Sequence, residues 1–291
     1  MSNKLFLKKE KAIISKRIMI ALLVLLVSMI LAITIVSSLA DNLTIDRYLL
    51  QGLILSSLII TSIWFIRTKL DKRHPHSIGV GILSQALLKF GLGLGLFLIP
   101  ITITIITTIL FDWATITFNT VTLMPILVSV LAIVLFEAIP EEFIFRGYIY
   151  SNLNTIFKRW KASLITIGLF IAFPIIIVQI QRVLGIEVQI GNASAITLKY
   201  LITLLLFSLF VQYLRVLTNS IWAGVGFHLF IVFMNRLMGT SKNHLIQLSD
   251  VNDETPMQII FSVLLLIVFI GLLLYPKLKK KSLGWYKYAL E

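Results

Sequence analysis

Eight apolar stretches of about 18 residues or more recur along this chain, each long enough to cross the hydrocarbon core of a bilayer. They run approximately over 18–40, 49–66, 88–110, 122–139, 162–180, 199–214, 219–237 and 257–275, with only a short polar break at Thr218–Asn219 between the sixth and seventh. The expected fold class is all-α: a polytopic membrane helix bundle of about eight transmembrane helices, forming a single integral membrane domain over residues 1–291. Composition agrees, with 58% hydrophobic and 13% charged residues and a mean hydropathy of +0.97, well outside the range of soluble domains. The longest polar stretches, 67–76, 181–196 and 239–256, are too short to fold alone. The chain shows no internal repeat.

Charge orients the spans. Lys4, Lys8, Lys9, Lys11, Lys16 and Arg17 precede the first; Arg67, Lys69, Lys72 and Arg73 follow the second; Lys158, Arg159 and Lys161 separate the fourth from the fifth. Arg215 precedes the seventh, and Lys277, Lys279, Lys280, Lys281 and Lys287 follow the eighth. The opposite loops hold Asp41, Asp46, Asp112, Glu187, Asp250, Asp253 and Glu254, with few bases: Arg47, Arg182 and Lys242. By the positive-inside rule both termini of this multi-pass cell-membrane protein are cytoplasmic, as an even number of spans requires. The net charge of +13 is therefore assigned to anionic headgroups at the cytoplasmic flanks. No nucleic-acid-binding motif accompanies it, so membrane lipids, not nucleic acid, are the expected partners.

Lesser features have structural readings. Segment 76–89 is weakly amphipathic, which predicts an interfacial stretch before the third span. In "GLGLGLF", Gly91 and Gly95 have the small-xxx-small spacing of close helix packing. Trp64, Trp113, Trp160, Trp222 and Trp285 fall near span ends, as an aromatic belt would place them. With no cysteine, the chain has neither thiol nucleophile nor thiolate metal site.

The chemistry concentrates in "EAIPEEFIFRGY", residues 137–148, which continues an apolar run without a loop. Ionisable groups at membrane depth cost several kcal/mol and mark function by default; the alternative is that they sit solvated at the end of span four. Glu142 and Arg146 are four apart on a helix and able to pair. Glu137 and Glu141 have the same spacing. Pro140 withdraws a backbone donor just before the charged pair. One carboxylate held by Arg146 and another facing an interior cavity would make a general base.

"EEFIFRGYIY" resembles the first motif, E-E-x-x-x-R, of the CAAX-protease and bacteriocin-processing (CPBP/Abi) family. "NSIWAGVGFH" is similar to the lead-in of that family's third motif and ends in His228. The resemblance covers 122–237. It implies a multi-span, all-helical intramembrane endopeptidase acting on membrane-associated or lipid-modified peptides or proteins, with links to bacteriocin processing or self-immunity. It assigns Glu141 as the base that activates water, Glu142 as the partner of Arg146, and His228 as oxyanion donor or ligand. Some of the family is described as metal-dependent, which leaves the cofactor open: none is required by the retained motifs, and a divalent metal is the alternative.

Two family positions differ. The second motif, F-x-x-x-H, finds Phe170 followed by Pro174, and four residues after His228 stands Val232 instead of Asn or Asp. Asn235, seven residues on, shares the helical face but lies roughly 10 Å further along the axis. Asn235 and Glu137 are the candidate accessory residues. Losing an oxyanion donor costs on the order of 10² to 10³ in rate, so the expectation is a weakened peptidase. The competing class is a catalytically silent scaffold that binds a membrane or cell-wall partner. A transporter, whose carboxylates relay protons, is disfavoured by the missing inverted repeat.

Overall fold

The structure is a computed structural model that describes residues 2–39, 46–118, 123–183, 196–239, 246–249, 255–280 and 282–287. The acidic residues Asp41, Glu187, Asp250, Asp253 and Glu254, with Lys242 and Lys281, lie outside the described residues.

Among the described residues, ten α-helical segments build the bundle: α1 Ser2–Ser38, α2 Arg47–Phe65, α3 Leu83–Leu110, α4 Leu123–Ile133, α5 Ile139–Glu141, α6 Tyr150–Ile156, α7 Arg159–Val183, α8 Leu198–Thr218, α9 Trp222–Leu237 and α10 Thr255–Leu278. Local chemistry places several ends. Asp46 caps α2 by accepting from the Leu49 amide at 2.8 Å. Thr197 does the same for α8 through Tyr200 at 3.1 Å, and that helix stops where Asn219 turns left-handed at φ 52°.

Helices α4, α5 and α6 form one continuous rod, joined by π-helical turns at Val134–Ala138 and Glu142–Ile149. Pro140 supplies the reason. In the π register the Leu135 carbonyl would pair with residue 140, which has no N–H. The Ser56 hydroxyl of α2 donates to that carbonyl instead. Proline here shifts the hydrogen-bond register without breaking the helix, and the charged motif occupies the π-helical turn that follows.

Among the described residues, seven helical runs are long and apolar enough to cross a membrane: Lys9–Ser38, Arg47–Leu70, Pro75–Leu110, Leu123–Ile156, Arg159–Ile180, Tyr200–Thr218 and Pro256–Leu278. The expected span 219–237 differs. Its helix, α9, has only 16 residues, about 24 Å at the α-helical rise. It is buried for most of its length, including Ala223, Val225, Phe227, His228 and Leu229, so protein rather than lipid surrounds it. Span four is longer than expected, because the π turns carry it through the motif to Ile156. Within the 76–89 stretch, Pro75–Ile78 forms a 3-10 turn and Leu83 already opens α3.

Close packing of α3 on α9 depends on glycine, though not on Gly91 and Gly95, which face open space. A Cβ on Gly93 would overlap the Ala223 carbonyl, and one on Gly226 the Phe90 carbonyl. Around this contact Phe97, Phe210, Phe227 and Phe261 interlock; Phe210 stacks on Phe227 at 4.3 Å between ring centroids.

The connections sort to two ends. At the basic end, buried Arg67 meets Asp71 at 3.0 Å, Asn152 at 3.1 Å and Ser77 at 2.8 Å, while Arg17 reaches Asp71 at 2.9 Å. Buried Arg215 donates to the Arg146 carbonyl at 2.9 Å. Its guanidinium lies where any Cβ on Gly79 (φ +92°) would stand 2.9 Å away. At the other end, β1 Thr115–Phe118 runs antiparallel to β3 Ile246–Ser249, which pairs in parallel with β2 Met238–Gly239. This small sheet was not expected from the sequence.

Candidate active site

The sixteen residues of α9 bring His228 against the π-helical turn of the charged motif. Glu142 and Arg146 are wholly buried and His228 is 5% exposed. Arg146 Nη1 lies 3.3 Å from Glu142 Oε1 and His228 Nδ1 lies 3.4 Å from the same oxygen. Glu142 is therefore shared between a guanidinium one turn away and an imidazole 86 positions later in the chain.

Residues of α7, α8 and α9 surround this cluster. Arg146 Nη2 donates to Ser208 Oγ of α8 at 2.9 Å, and its guanidinium lies 3.9 Å from the Phe170 ring of α7. Phe207 meets the His228 ring edge-on at 4.8 Å between centroids. On α9, one turn before His228, Gly224 leaves the room that the carboxylate fills. A Cβ there would stand 2.7 Å from Glu142 Oε2 and 2.8 Å from Val211 Cγ1.

The ionic contacts are longer than aligned hydrogen bonds. Both oxygens of Glu142, Nε and Nη1 of Arg146 and Nδ1 of His228 have no hydrogen bond of good geometry among the described residues. Buried groups with such spare capacity are the ones a polar reactant would engage.

Glu141 stands apart from that cluster. It is half-buried and within electrostatic range of His228, Glu137, Glu142 and Arg146. No hydrogen bond or ion pair holds its carboxylate among the described residues. Tyr200 of α8, half-buried, lies within range of both Glu141 and Glu137.

The two accessory candidates go elsewhere. Glu137 pairs with Arg236 and accepts from the Tyr48 hydroxyl, and Arg236 also donates to that hydroxyl at 2.7 Å. That carboxylate is thereby used to tie α2 to the end of α9. Asn235 is exposed and does not join the cluster. Pro174 lies half-buried within a continuous α7, one turn beyond the Phe170 that covers Arg146.

A metal does not fit these donors. Among the described residues no three His, Asp or Glu side chains converge as a metal site, whereas a catalytic zinc takes three protein ligands.

The fold and site define a polytopic membrane protein whose helices bury a carboxylate–guanidinium–imidazole cluster beside a second carboxylate. Residues 122–234 match the family model described as Type II CAAX prenyl endopeptidase Rce1-like. This segment, which holds Glu141, Glu142, Arg146 and His228, is similar to that family over 113 of the chain's 291 residues. No curated protein and no solved structure matches the chain.

Four residues of the site carry no signal that the motif reading used. Ser208, Phe207 and Tyr200 sit in an apolar span without a motif, and Gly224 reads as one of several small residues in "WAGVGFH". The only clue to Gly224 is its spacing, four before His228 on one helical face.

Proposed function

We propose that the chain is an intramembrane endopeptidase that hydrolyses peptide bonds in membrane-associated or lipid-modified peptides, with Glu141 as the base. One observation carries this reading: Glu142 lies in ionic contact with both Arg146 and His228, whereas no hydrogen bond or ion pair holds the Glu141 carboxylate among the described residues. In the reaction Glu141 would accept a proton from water as its oxygen attacks the scissile carbonyl. The tetrahedral oxyanion would be stabilised by His228, kept in orientation and charge by Glu142. Collapse breaks the C–N bond, and Glu141 returns the proton to the leaving amine.

The basic end is taken as cytoplasmic, with both termini there. His228 lies six residues into α9 from that end, roughly 9 Å of helix, so substrates would enter from the cytoplasmic half of the bilayer. Processing of a bacteriocin-like peptide, or immunity to one, suits a substrate of this kind.

A second reading has its own observation. Helix α7 presents Phe170 to Arg146, and one turn further stands a proline that neither donates to water nor orients it. A scaffold that binds a membrane partner without cutting it is consistent with that helix. The discriminating experiment is mass-spectrometric detection of cleavage in a membrane-anchored peptide library by reconstituted wild type and Pro174→His. Slow wild-type cleavage that rises in Pro174→His supports the peptidase; no cleavage by either, with a co-purifying membrane partner, supports the scaffold.

A further inference from the structure

Away from the candidate site, the basic end carries a cavity of about 870 Å³ between α8, α10 and the segment after it. Leu273 and Leu274 of α10 line its apolar part, Tyr213 and Trp285 form an aromatic wall, and Lys277 and Lys280 stand at its rim. The wall is built, not incidental. Tyr213 donates to the Leu272 carbonyl at 3.0 Å and stacks on Trp285 at 6.0 Å between centroids. The segment bearing Trp285 is pinned to the start of α7: the Trp160 amide donates to the Trp285 carbonyl at 3.2 Å and Arg159 Nη1 to the Leu283 carbonyl at 2.7 Å.

We propose that this groove binds one anionic phospholipid, its phosphate between Lys277 and Lys280 and an acyl chain along α10. Charge complementarity selects the occupant. Both lysines are exposed and stand where an apolar wall ends, the place where a lipid changes from chain to headgroup. Trp285 and Tyr213 are amphipathic rings suited to the same level. The pinned segment lines the groove through Ser282, Leu283 and Trp285, while Ile270, Leu273 and Leu274 of α10 are exposed, so a chain enters along that flank of α10. This inference is independent of any cleavage activity.

The test uses the full chain reconstituted in phosphatidylcholine vesicles that contain a small, matched fraction of brominated phosphatidylglycerol or brominated phosphatidylcholine. The Trp285 contribution to fluorescence is the difference between wild type and Trp285→Phe. Stronger quenching by the brominated anionic lipid is expected, with a preference that falls roughly fivefold per lysine removed in Lys277→Gln and Lys280→Gln. Equal quenching by both lipids, or a preference that survives in the double variant, overturns the proposal. So does displacement by soluble glycerol phosphate, which would assign the lysines to a free phosphate instead of a lipid.

Discussion

Removing Arg146 tests whether the charged motif is a buried cluster or a solvated helix end. In the wild type the guanidinium is wholly buried, 3.3 Å from Glu142, 2.9 Å from Ser208 and 3.9 Å from the Phe170 ring. Arg146→Ala leaves the Glu142 carboxylate facing His228 alone. Breaking a buried pair by deleting one partner costs about 3–5 kcal/mol, and the lost stack on Phe170 adds on the order of 1 kcal/mol. Against a typical stability of about 5–15 kcal/mol that is a severe loss. The assay is thermal unfolding in detergent, followed by tryptophan fluorescence and by monodispersity on size exclusion. The double variant Glu142→Gln/Arg146→Met should recover most of the loss, because replacing a buried pair by neutral groups of similar size is often nearly neutral. Wild-type melting in Arg146→Ala would refute the argument, and so would a double variant no better than the single one.

Two further outcomes concern packing and orientation. Gly224→Ala forces a Cβ to 2.7 Å from Glu142 Oε2 and should lower stability by about 1–3 kcal/mol; an unchanged melting temperature would mean that the carboxylate has room to move. Ser249→Cys, on β3 at the end opposite the basic residues, should react with a membrane-impermeant maleimide added to intact cells, and labelling only after permeabilisation would invert the topology.

Much of the bundle was legible in the sequence because a bilayer asks for long apolar helices and little else. The pairing of Glu142 with Arg146 follows from their spacing alone, and survives the π register because four residues still make nearly one turn. Other features depend on which way a helix is rotated, and an apolar sequence does not encode that. Gly91 and Gly95 have packing spacing, yet α3 turns Gly93 toward α9. Glu137 reads as a third motif carboxylate until Arg236, 99 positions later, is brought beside it. The first π turn is a partly local effect of Pro140, but the carbonyl it leaves at Leu135 is satisfied by Ser56 from another helix. The shortness of α9 reflects burial: a helix enclosed by its neighbours needs no long lipid-facing run to pass from the basic end to the sheet end.

The central claim is that Glu141 is the base and Glu142 the locked partner. Its most direct test is the rate at which purified, reconstituted Glu141→Gln cleaves a membrane-anchored peptide that wild type cuts. The account predicts slow wild-type cleavage and a fall on the order of 10² or more in Glu141→Gln, with melting little changed because that carboxylate is not ion-paired in the fold. Cleavage by Glu141→Gln at the wild-type rate would contradict it.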